Sequence, residues 1–208
     1  MSNRSIVAFA AAIVLFGTPT AARAQWAINT APGAQTDVLT DGPWSIGYSF
    51  NVTTNFTVQR LGYLDWGNYG LLESHDVGIF SPSGTLLVSG TLSGENQAID
   101  GLFRSLVVAP TLLVAGNNYR IMGFDPGGAD AVMFDGYVSS VPEIQYVGAA
   151  YCLSFSLSDS CGSYLPGGYF GPNFAGTSEV ATPEPAAIIL LATGFVCVIG
   201  AARRRRQV

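Results

Sequence analysis

Tyr63, Trp66 and Tyr69 fall within one short segment, Leu61 to Asp76, together with Asp65 and Asn68. Aromatic rings beside a carboxylate and an amide can stack on sugar rings and hydrogen-bond their hydroxyls, so an exposed cluster of these five residues would form a glycan-binding loop. Turned inward, the same rings would be ordinary core filler of a β domain. A second constellation, Asp125-Pro126-Gly127-Gly128-Ala129-Asp130 with Asp135 nearby, gathers the acidic oxygens that a hard cation such as Ca²⁺ requires; a solvated turn has the same composition. No further cofactor is expected, and Cys152 and Cys161 with one histidine cannot assemble the four ligands of a zinc site.

His75 is the single histidine of the chain. Any Ser-His-Asp arrangement would have to use it, and no G-x-S-x-G elbow supplies a nucleophile. Beside Asp76 and ahead of an apolar run, it reads as a loop residue. Asp65, Glu73, Asp76, Asp125, Asp130 and Asp135 offer carboxylates from which a glycoside-hydrolysing pair can be drawn, a choice that depends on a separation the sequence does not express. Neither a phosphate-binding loop nor a dinucleotide fingerprint occurs. A non-enzymatic binding protein is the first expectation, and an enzyme acting on surface polysaccharide is the alternative.

The elements that must position these residues have a hydrophobic period of two. Trp44, Ile46, Tyr48, Phe50 and Val52 alternate with Ser45, Gly47, Ser49 and Asn51, which marks a strand with one buried face. Phe56 to Tyr63 reads as a second strand. Val77 to Phe80 and Thr85 to Ser89 read as a hairpin around Ser81-Pro82-Ser83-Gly84, where Pro presets φ and Gly accepts a positive one. Leu102 to Val108, Leu112 to Val114, Tyr119 to Gly123, Ala131 to Ser139 and Ile144 to Leu157 complete the predicted strands. Gly162 to Gly176, rich in Gly, Pro, Tyr and Phe, reads as irregular, leading into a linker from Thr177 to Thr182. No segment between the two ends carries a helical stripe, so the fold class expected is all-β, an antiparallel β-sandwich of jelly-roll type.

Cys152 and Cys161 are separated by LSFSLSDS, and a disulfide between them suits an oxidising compartment; two free buried thiols are the other reading. Cys197 stands apart in the apolar C-terminal run. Between Gln25 and Ala181 the chain carries three arginines, Arg60, Arg104 and Arg120, against thirteen acidic residues, a net charge of about −10 with His75 neutral. Lysine is absent. Such a surface repels nucleic acid and anionic lipid, leaving neutral glycans, cations or other proteins as partners.

Both ends carry topogenic patterns. Arg4, an apolar run from Ile6 to Gly17 and the small-residue site Ala22-Arg23-Ala24 make residues 1–24 a secretory leader, so the mature chain is expected to begin at Gln25. At the other end come Pro183-Glu184-Pro185, the uncharged run Ala186 to Ala202 and the cluster Arg203, Arg204, Arg205 and Arg206. The apolar run has 17 residues, which as a helix reach about 25 Å and just span a bilayer. The arginines are expected to remain cytoplasmic. This order, over residues 183–208, resembles the PEP-CTERM sorting signal of Gram-negative bacteria. The resemblance implies handling by a membrane-embedded exosortase after general secretion, with the chain held at the inner membrane before release to the cell surface or matrix, and says little about what the rest of the chain binds. Exopolysaccharide is the ligand expected if the aromatic loop is a binding module.

Residues 25–176 then form the exported domain and 177–182 its linker. From Trp44 to Phe124 this domain also resembles a family of unknown function found in exported bacterial proteins. The matching pieces are Leu61-Gly62-Tyr63, Val77-Gly78-Ile79-Phe80 followed by Ser83-Gly84-Thr85-Leu86-Leu87, and Leu113-Val114-Ala115-Gly116-Asn117-Asn118-Tyr119. That resemblance implies the fold and the cell-surface setting, and no activity.

Overall fold

Alternating large and small side chains put the Trp44 to Val52 segment at the centre of a sheet in the computed structural model of the chain. The structure describes residues 24–30, 35–94, 97–134, 138–164 and 167–178. The expected leader up to residue 23, Asp135, and residues 179–208 with the expected sorting motif and apolar run lie outside the described residues. Among the described residues there is no helix, and therefore none long and apolar enough to cross a membrane.

The chain begins with three short strands, β1 (Gln25–Trp26), β2 (Ile28–Thr30) and β3 (Gln35–Asp37). Longer ones follow: β4 (Trp44–Val52), β5 (Phe56–Leu64), β6 (Leu71–Phe80), β7 (Leu86–Gly94), β8 (Ala98–Asp100), β9 (Phe103–Leu113) and β10 (Gly116–Asp125). After these come β11 (Val132–Phe134), β12 (Val138–Ser140), β13 (Ile144–Leu153), β14 (Gly162–Tyr164) and β15 (Pro172–Ser178). One sheet has the order β1-β15-β5-β9-β8, a second β14-β13-β4-β10-β6-β7, and two small ribbons pair β3 with β11 and β2 with β12. Every pairing is antiparallel. The fold is thus all-β, and its two larger sheets share one core, an arrangement consistent with a β-sandwich.

That core is built from the inward phase of each strand. Tyr48, Phe50, Val77, Ile79 and Ile121 of one sheet meet Phe56, Val58, Leu61, Leu113 and Phe174 of the other, all essentially without solvent contact. Phe50 and Phe174 pack across the gap with ring centroids 4.9 Å apart. The alternation predicted for β4 holds on its inner face, yet Ser45 and Gly47 on its outer face are buried as well. Residues after β13 fold back over them: Ser45 Oγ donates to Ser158 O at 2.8 Å and accepts from Ser158 N–H at 3.2 Å. Leu157 joins Phe80, Met122 and Ala150 in a small apolar cluster outside the sheet.

Several boundaries differ from the sequence expectation. The two runs Leu102 to Val108 and Leu112 to Val114 are one strand, β9, whose pairing with β5 shifts register between Val58 and Arg60. The run Ala131 to Ser139 divides into β11 and β12, which pair with the N-terminal ribbons, and the strand expected to reach Leu157 ends at Leu153. The largest correction concerns Gly162 to Gly176, read as irregular. Its second half is β15, inserted between β1 and β5, and Thr177 and Ser178, read as linker, are the strand's last residues. Small residues there serve close packing, since a Cβ on Gly176 would stand 2.1 Å from Thr57 O.

Candidate functional site

Asp65 closes β5 and organises the turn that follows. Its Oδ1 accepts the Tyr69 amide and its Oδ2 the Gly70 amide, each at 3.1 Å, while its own amide donates to Leu102 O at 2.9 Å. Arg104 Nε donates to Oδ2 at 2.7 Å, and Arg104 Nη1 reaches Gln97 O at 3.0 Å. Gly67, Asn68 and Gly70 take positive φ of 88°, 68° and 92°, which glycine and asparagine accept at least cost. The missing Cβ of Gly67 leaves the space that the Tyr69 ring uses.

This turn sorts the five predicted glycan residues into two groups. Trp66 and Tyr69 are 47% and 83% exposed, and Asn68 is exposed between them. Tyr63 and Asp65 are not surface residues: Tyr63 has no exposure and Asp65 4%. Tyr63 stacks on His75 with centroids 3.7 Å apart and planes 8° from parallel. Asp65 spends its carboxylate on the turn and Arg104. The expected loop from Leu61 to Asp76 is therefore only a tight turn, 65–70, between two long strands.

His75 lies within β6 rather than in a loop, fully buried. Its Nδ1 faces Phe124 O at 3.0 Å and its Nε2 faces Asp130 Oδ2 at 2.8 Å. Asp130 also accepts the Leu72 and Glu73 amides at 3.0 Å each. Burial alone would raise the Asp130 carboxyl, but the His75 bond and the two amides outweigh it and hold it below the usual range. For Asp125 burial wins: its carboxyl is pushed up against the pull of the Gly128 amide and His75, and Glu73 and Asp130 add to the rise. Burial also lifts the Tyr63 phenol well above its ordinary value, assisted by Asp125, Asp130 and Glu73.

Both described acids of this turn serve the fold. Asp125 Oδ1 caps the Gly128 amide at 2.9 Å, while its Oδ2 is buried with no partner among the described residues, and Asp130 holds His75. Among the described residues no group of three or more histidine, cysteine or acidic side chains is placed to hold a metal, and Asp135, the third of the expected Ca²⁺ candidates, lies outside them. Asp65, Asp125 and Asp130 are all buried, so none of these three lines an open cleft as a hydrolytic pair must.

Cys152 and Cys161 are bridged, with Cα atoms 5.0 Å apart. The bridge fixes the segment that covers the outer face of β4. Arg120 on β10 clamps the same segment by a bidentate bond to Asp159, and its Nη2 also donates to Ser81 O, in the turn after β6, at 3.0 Å. Sequence reasoning missed Arg104 and Arg120 as organisers. The available signal was scarcity: in a domain with three arginines and thirteen acids, each arginine has a carboxylate partner, Arg60 with Asp100, Arg104 with Asp65, Arg120 with Asp159.

The sequence matches none of the protein-family models against which it was compared and none of the curated proteins.

Proposed function

We propose that the chain is an exported, non-enzymatic protein of the cell surface or extracellular matrix, whose jelly-roll-like domain binds neutral polysaccharide through Trp66 and Tyr69. Residues 1–24 are its secretory leader. Residues 183–208 are a PEP-CTERM-type tail that holds it at the inner membrane until an exosortase acts. The observation that carries the binding reading is the pair of exposed rings on a turn that Asp65 and Arg104 lock from beneath. A turn whose backbone is already held loses little main-chain freedom when a ligand stacks on its rings. The charge of about −10 between Gln25 and Ala181 favours a neutral ligand over a polyanion. Full burial of the single histidine supports a binding role over a catalytic one.

Strand direction supports display. In β15, Pro172 stands opposite Tyr63 and Ser178 opposite Phe56, so the chain leaves the sheet at the end opposite the 65–70 turn. That separates the exit from the rings by about 20 Å of strand. A domain tethered by its C-terminal tail then presents Trp66 and Tyr69 away from the membrane.

Affinity electrophoresis of the full chain in mild detergent tests the reading, with gels containing either a neutral glucan or anionic alginate. Retardation is expected in the neutral gel and is lost in Trp66→Ala and Tyr69→Ala, with stability changed by no more than about 0.5 kcal/mol, as for surface substitutions. Equal retardation of the variants would remove the turn as the binding site.

A further inference from the structure

A groove of about 490 Å³ opens on the outer face of the six-stranded sheet, far from the aromatic turn. Ser49 of β4 forms its floor, Pro82, Asn118 and Arg120 one side, and the disulfide-held segment Asp159 to Ser163 the other. Its volume falls in the range of small-ligand sites, roughly 300 to 1,000 Å³. The folded-back segment covers Ser45 and Gly47 and stops short of Ser49, so the groove follows the edge of that cover.

The polar inventory of the groove is unevenly used. Arg120 commits four of its five N–H groups, to both oxygens of Asp159, to Ser81 O and to Asn118 O. The remaining N–H, on Nη1, has no partner among the described residues, nor do the hydroxyls of Ser49 and Ser163 or the side-chain amide of Asn118. Four groups that together donate and accept hydrogen bonds therefore surround one space, while Pro82 offers an apolar face. Asp159 answers the Arg120 charge, so the lining carries no net charge. The walls are held in advance by the disulfide and the bidentate ion pair, which lowers the ordering cost of binding.

We infer that this groove is a second binding subsite, for a neutral, hydroxyl-rich ligand of the size of a short saccharide. Hydroxyl groups both donate and accept, as the unengaged lining does, and a ligand without charge leaves the Arg120–Asp159 pair intact. An anionic ligand would meet the Asp159 carboxylate and the negative field of the domain. The inference rests on the reading that the exported domain binds neutral glycan, but it concerns a site separate from Trp66 and Tyr69.

Chemical-shift titration of the ¹⁵N-labelled full chain in detergent micelles distinguishes the two sites, with a cello-oligosaccharide as neutral probe and an oligogalacturonate as anionic one. The neutral probe is expected to shift the Ser160, Gly162 and Ser163 amides and the Asn118 side-chain amide saturably. The triple variant Ser49→Ala, Asn118→Gly, Ser163→Ala should weaken this response at least roughly tenfold, since it removes the polar side-chain groups of three of the four unengaged lining residues. Glycine at 118 retains the φ of 64° that asparagine adopts there. The Trp66 indole resonance reports the turn independently. A shift at Trp66 with none in the groove overturns this inference and leaves the aromatic reading standing; a shift in the groove with none at Trp66 does the reverse. No saturable shift at either place marks a merely hydrated groove, and preference of the groove for the anionic probe marks a site for another ligand class; either result overturns the subsite.

Discussion

Asp65 and Asp130 are buried carboxylates that each accept two backbone amides and one cationic or imidazole donor, Asp65 holding the turn 65–70 and Asp130 the first half of β6. Removing either leaves its partners buried and unsatisfied, a loss of about 3–5 kcal/mol for a buried pair. Asp130→Asn carries a pH signature as well. Because the folded-state carboxyl is held below its ordinary value, its stabilisation is present above that value, about 3.9, and is lost as pH falls through the folded pKa. Urea unfolding of wild type and Asp130→Asn should therefore differ at neutral pH and converge below about pH 4; a gap independent of pH would contradict the assignment. Composition alone placed Asp65 and Tyr63 with the exposed rings, because a turn's residue types do not say which side chains face out. The phase of β5 held a clue: Phe56 and Val58 share a face with Arg60, whereas Leu61 and Tyr63 lie on the other phase. Only a bulge reconciles these, and the register shift between Val58 and Arg60 supplies it, turning Leu61 and Tyr63 inward.

Among the elements, β4 was legible because five large apolar residues alternate with small polar ones over its whole length. The strand β15 was not. PNFAGTS carries one large apolar side chain, and its place between two strands is set by backbone pairing and by Asn173, whose side chain accepts from Tyr48 OH at 3.0 Å and donates to Ile28 O at 2.8 Å. Such a strand has no periodic signal. Its role predicts the outcome of one substitution: Phe174→Ala, at a site with no exposure and two aromatic neighbours, should cost about 3–5 kcal/mol in a denaturant titration. A linker residue would change nothing, so an unaltered midpoint would remove β15 from the core. The outer cover of β4 was equally hidden, since only the folded chain brings Leu157 onto Phe80, Met122 and Ala150.

At the scale of the molecule, an acidic, lysine-free domain closed by one disulfide stands between two topogenic patterns. Its pairing begins at Gln25, directly after the expected cleavage site, and its last strand ends at Ser178, five residues before the Pro-Glu-Pro motif. The described strands thus lie between the proposed leader and the proposed tail, whose residues 1–23 and 179–208 are outside the described residues. The all-β class and the antiparallel pairing were readable from the period of two. The order of the strands was not, because the pairings of β1 with β15 and of β5 with β9 are set by long-range contacts. The most direct test of an exported and processed domain is the intact mass of the chain recovered from the cell envelope and medium, alkylated with and without prior reduction. The account predicts a chain beginning at Gln25, lacking the residues after the Pro-Glu-Pro region, with Cys152 and Cys161 alkylated only after reduction. A chain running from Met1 to Val208 with both cysteines open to alkylation before reduction would contradict it.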